Sequence, residues 1–156
     1  MATKINWKRL AIAAPVAAVL NMFLLFALFM NPVSHQIIFS ESMGQSPKLV
    51  TVWTELEPIP SLASLTPSLI ITPLIYSTIF ALFYDEIPGR NKITKGIAFG
   101  IIIWSLIAVF FELFTPYGLF GEPVNLLAYE LLLWFIGLVI VGITISAIYS
   151  KNSART

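Results

Sequence analysis

Two glutamates occupy positions where a carboxylate is costly. Glu112 interrupts the apolar run Ile97–Phe114, Glu130 interrupts the run Val124–Tyr149, and neither run contains a lysine or arginine to pair with them. A charge inside a hydrocarbon-crossing helix costs roughly 3 kcal/mol on insertion scales, so such a group faces protein or water and is read first as a candidate site. The stretch Thr115-Pro116-Tyr117-Gly118-Leu119-Phe120-Gly121-Glu122-Pro123 reads as a short turn between the runs. A short connection makes its two helices antiparallel neighbours. Counted from that turn, Glu112 lies about 5 Å and Glu130 about 9 Å into the helices at the usual rise per residue. Both therefore belong to one layer. Two close carboxylates in a low dielectric cannot both stay charged without compensation, which makes the pair a candidate ion or proton site. The competing reading is a structural clasp, in which each carboxylate reaches solvent or bonds to Asn125, Tyr117 or a backbone amide. Trp134 follows Glu130 by one turn on the same face, and Tyr129 precedes it.

The remaining candidate ligands are sparse. His35 with Glu41, Glu55 and Glu57 supplies imidazole and carboxylate to one loop, but the pattern lacks the second histidine and the helical spacing that mark a metal site. His35, Glu55 and Glu57 are thus weak metal candidates only. The chain contains no cysteine, which removes disulfides, thiolate ligands and thiol catalysis, and its single histidine excludes a bis-histidine haem from this chain alone. Asp85, Glu86 and Arg90 read as a solvated turn network. No motif for a cofactor, for nucleic acid or for a catalytic nucleophile with an adjacent base is present, so the expectation is a non-enzyme.

The elements that hold these residues follow from composition. The 156 residues are 58% apolar and 11% charged, with mean hydropathy +0.88, against roughly a quarter charged in soluble domains. That surplus of apolar surface calls for lipid. A single transmembrane domain over 1–156 is expected, with spans at about 10–30, 65–84, 97–114 and 124–149, each long enough for a core about 30 Å thick. Pro73, inside the second span, predicts a kink. Asn21, near the middle of the first span, is placed for an interhelical hydrogen bond. Gly96-xxx-Gly100 and Gly142-xxx-Ser146 are small-residue steps that let helices approach closely.

Residues 31–64 form the outer loop. Within it Ser46-Pro47 has the form of a helix start, and Leu49, Val52, Trp53 and Leu56 recur on one face. A short interfacial helix is expected there, with Trp53 at the headgroup level. Orientation follows from charge. Lys4, Lys8, Arg9, Arg90, Lys92, Lys95, Lys151 and Arg155 share one side and Lys48 alone lies on the other, eight against one of the nine basic residues. Both termini are expected in the cytoplasm, with the protein in the cell membrane. Glu122 falls among the outer-loop acids.

Asn6-Trp7-Lys8-Arg9 leading into a span with Asn21, Gly96-xxx-Gly100-xxx-Trp104, and the ending Ala147-Ile148-Tyr149 together resemble a loose group of short, uncharacterised four-span prokaryotic membrane proteins. The resemblance implies four helices and no activity. Small multidrug exporters carry their key glutamate in the first span, which has none here, and vitamin K reductase-like proteins need cysteines. The expected fold is an all-α, four-transmembrane-helix bundle with one short interfacial helix. The expected function is that of a non-catalytic accessory or structural subunit, packed in the bilayer through its glycine faces against itself or a larger membrane complex. The alternative is a small cation- or proton-coupled channel or transporter using Glu112 and Glu130.

Overall fold

The computed structural model describes residues 5–55 and 62–150, and these are helical throughout apart from short connections. Glu57 and the basic residues Lys4, Lys151 and Arg155 lie outside the described residues. Six helices follow in order among them. They are α1 Trp7–Leu28, α2 Pro32–Ile38, α3 Pro47–Thr54, α4 Leu62–Leu82, α5 Lys92–Leu119 and α6 Val124–Tyr149. The four long ones are each long and apolar enough to cross a membrane.

Their outward faces fit that reading. Trp7, Leu106, Phe110 and Val124 are each more than 60% exposed, although large apolar groups are the residues that water drives inward. The buried face of α1 is made of Leu10, Ala13, Ala14, Ala17 and Ala18, a helical stripe of mostly small side chains. That stripe lets α1 lie against both α4 and α6.

The most extensive interface joins α5 and α6, and glycine makes it possible. A Cβ on Gly100 would stand 2.6 Å from the Cα of Val139, and one on Gly96 would stand 2.8 Å from the carbonyl oxygen of Gly142. Gly142 in turn would meet the backbone of Gly100 at 2.9 Å. The two helices touch backbone to backbone. Gly96, Gly100 and Gly142, expected to face a partner, therefore serve this internal contact, and Ser146, one turn beyond Gly142, is fully buried.

At one end of the bundle the chain closes on itself. Phe80 packs edge-on against Phe99 at 5.1 Å and against Tyr149 at 5.9 Å. Arg9 Nη1 donates to the carbonyl oxygens of Tyr149, at 3.1 Å, and of Ser150, which completes the C-terminus of α6. Lys95 Nζ donates to Tyr84 O at 2.7 Å and Ile87 O at 2.8 Å, and also lies over the Tyr84 ring.

Several boundaries differ from the sequence expectation. The first span begins at Trp7, because Asn6 accepts from Arg9 N and caps the helix there. The second begins at Leu62 and runs unbroken through Pro67 and Pro73. Asn31-Pro32 ends α1 but also starts α2, with the Asn31 side chain accepting from Val33 N and Ser34 N, both at 3.0 Å. That seven-residue helix was not expected. The helix expected near Trp53 is present as α3 with Pro47 at its first turn, yet Ser46 does not cap it. The Ser46 hydroxyl donates instead to Phe120 O, across the bundle.

The largest difference is at the third span, which extends from Lys92 to Leu119 in place of 97–114. Pro116 does not end it. A proline inside a helix lacks its N–H and pushes against the carbonyl four residues back, here that of Glu112. The helix accommodates this by widening over Leu113–Leu119 into a π turn, with Phe120 N donating to Thr115 O at 3.2 Å. A second π turn covers Trp104–Ala108. Glu112 thus lies on a four-residue α segment bracketed by two wider turns.

Candidate functional site

The turn that replaces the expected nine-residue connection is short and strictly shaped. Gly121 takes a left-handed φ of +74°, which stops α5, and Glu122 N then donates back to Pro116 O at 2.9 Å. Pro123 leads into α6 with extended backbone. Glu122 is thereby held between the ends of the two helices that carry Glu112 and Glu130.

The three carboxyl groups meet. One oxygen from each of Glu112, Glu122 and Glu130 lies within 4.8 Å of the others. Glu112 and Glu122 are each 1% exposed and Glu130 is 8% exposed, so this is an interior cluster rather than a solvated acidic surface. Two donors from other elements hold it. Trp134 Nε1 on α6 donates to Glu112 Oε1 at 2.6 Å, and its ring packs against Phe29 at the end of α1 with centroids 4.7 Å apart. Gln45 Nε2 donates to Glu122 Oε1 at 2.8 Å and to Ile38 O at 2.8 Å, while Gln45 Oε1 accepts from Ser46 N at 2.7 Å. Both N–H donors of that buried amide are engaged, and its oxygen accepts one bond.

The other oxygens, Oε2 of Glu112 and of Glu122, are buried with no donor from outside the cluster among the described residues, and the Glu130 carboxyl is within hydrogen-bonding reach of both glutamates, a contact that needs a shared proton. A buried acceptor left unmade costs about 1–3 kcal/mol, and more when it is charged. Burial pushes the Glu122 carboxyl above its ordinary pKa, with the Gln45 hydrogen bond opposing the shift. Three carboxylates this close need a compensating positive charge, whether protons or a cation.

The segment 31–55 lies over this end of the bundle. Besides Gln45 and Ser46, Ser34 Oγ and Tyr129 Oη are hydrogen-bonded at 2.8 Å, and Asn125 Nδ2 donates to Met43 O at 3.4 Å. The donors proposed for a clasp are therefore elsewhere: Asn125 holds the loop, and Tyr117 is 45% exposed. Below the cluster, Asn21, Phe29, Leu133, Trp134 and Gly137 help line a narrow cleft of about 30 Å³, room for one or two waters. Asn21 faces this cleft between helices.

The structure thus joins Glu112 and Glu130, as their depths in the sequence suggested, and adds two residues that the sequence reading left out. Glu122 was assigned to the outer loop, and Gln45 carried no signal. Among the described residues the only cluster of metal-capable side chains is this one, and it includes neither His35 nor Glu55. His35 stacks on Phe39 within and beside α2 at 4.6 Å, and Glu55 ends α3 in an exposed position. Comparison with protein-family models, with curated proteins and with solved structures finds no match.

Proposed function

We propose that the chain is a small multi-pass protein of the cell membrane that binds a cation or proton at the Glu112–Glu122–Glu130 cluster and couples it to passage through the bundle. The observation that carries this reading is the meeting of three buried carboxyl groups within 4.8 Å, with no basic side chain among them and no donor from outside the cluster to the second oxygens of Glu112 and Glu122. Its termini lie on the cytoplasmic side in this reading, because eight of the nine basic residues fall there. The cluster and segment 31–55 then face outward, with α3 and Trp53 at the outer headgroup level. Its partners are lipid and the ion, with no role for nucleic acid and no catalytic step.

The other expectation, an accessory subunit, draws on the missing catalytic groups, the small cytoplasmic parts and the two small-residue steps, and Gly96, Gly100 and Gly142 of those steps meet within the chain. Reconstitution into liposomes separates the two. Ion or proton flux that falls at least tenfold in Glu130→Gln and Glu112→Gln supports the coupled-ion reading. Flux absent from the wild type, with a second membrane protein retained on gentle extraction, would establish the accessory role instead.

A further inference from the structure

We infer that the cluster is a site for a hard divalent cation such as calcium, manganese or magnesium, built from Glu112, Glu122 and Glu130 and closed by Gln45. This rests on the proposed ion-binding function and narrows it to one class of ion. The ligand set consists only of carboxylate oxygen, with no imidazole in the cluster and no thiolate anywhere in the chain. Oxygen-only sites select hard cations over zinc or copper. Spacing agrees as well. Oxygens within 4.8 Å of one another fit around a single ion bonded at about 2.0–2.6 Å.

Charge narrows the class further. With all three carboxyls deprotonated, a monovalent ion leaves two negative charges buried without compensation, whereas a divalent ion leaves one, which the donors Trp134 Nε1 and Gln45 Nε2 address directly. The two donors also orient the ligands. Each occupies Oε1 of its glutamate, leaving Oε2 of Glu112 and of Glu122, both buried and reached by no donor from outside the cluster, available to the ion together with the carboxylate of Glu130 once their shared protons leave. Gln45 reaches the cluster from segment 31–55 and ties that segment to the site.

Terbium(III), a luminescent stand-in for calcium, tests this on the full-length protein in detergent or nanodiscs. Excitation of tryptophan transfers energy to terbium only at short range, and Trp134 is bonded to one of the ligands. The expected result is saturable sensitised emission, displaced by calcium or manganese at constant ionic strength and not by sodium. Terbium affinity falls at least tenfold in Glu130→Gln and returns in part with Glu130→Asp, which keeps the charge. Absence of saturable emission from the wild type overturns the inference, and so does displacement by sodium as readily as by calcium. Flux that depends on Glu130 without divalent binding would refute this inference and leave the proposed function standing. Divalent binding without flux would do the reverse.

Discussion

The two ends of the bundle treat charge in opposite ways. At one end, Arg9 and Lys95 are each held by two backbone carbonyls, and the aromatic rings of Phe80, Tyr84, Phe99 and Tyr149 close around them. At the other, Glu112, Glu122 and Glu130 are gathered out of water, and two of their oxygens find no donor from outside the cluster among the described residues. The difference has a simple origin. Helix C-termini leave carbonyls for a cation to satisfy, whereas a buried carboxylate must find donors, and among the described residues two side-chain donors from outside the cluster reach three acids. One end is completed by the chain's own side chains, and in the proposed function the other is completed by a bound ion.

The first way to break the contrast is to separate the helices that carry both ends. Gly142→Leu would drive a side chain into the backbone of Gly96 and Gly100. Loss of about 3 kcal/mol or more, or failure to fold, is expected from overpacking that cannot relax, measured by thermal unfolding in detergent. Next comes the closed end. Arg9→Ala removes the donors to Tyr149 O and Ser150 O and should destabilise the protein by about 1.5–3 kcal/mol.

At the acidic end the same kind of change should have the opposite sign. With divalent cations chelated, Glu130→Gln removes one of three crowded carboxylates and should stabilise the protein by about 1–2 kcal/mol while abolishing ion binding. A matching loss would mean that the cluster is already satisfied within the chain. The smallest effect is expected from Gln45→Met, which keeps the volume but takes a donor from Glu122. Stability should fall by about 1 kcal/mol, with ion exchange faster because segment 31–55 loses one tie.

Much of this was legible in the sequence, and the omissions have identifiable causes. Four long apolar runs stand out because lipid demands continuous apolarity. Glu112 and Glu130 stand out against them for the same reason. Glu122 did not, since an acid between Gly121 and Pro123 looks like any loop residue. Its burial depends on α5 continuing through Pro116 to Leu119, and a proline accommodated by a π turn cannot be told from one that ends a helix by local pattern alone. Gln45 lies 77 residues from its partner, a contact set by packing. Asn31-Pro32 was legible as a stop, although the same pair also has the cap-and-proline form of a start. The glycine spacing at Gly96, Gly100 and Gly142 signals a close approach, but it cannot say whether the helix that approaches belongs to the same chain.

The most direct test of the central claim is the thermal unfolding of full-length wild type and Glu130→Gln, each with and without calcium at constant ionic strength. A saturable rise in Tm for the wild type, with none for the variant, is the expected result, because a ligand that binds only the folded site stabilises in proportion to its occupancy. Equal shifts in both proteins, or no shift in the wild type, would contradict the account.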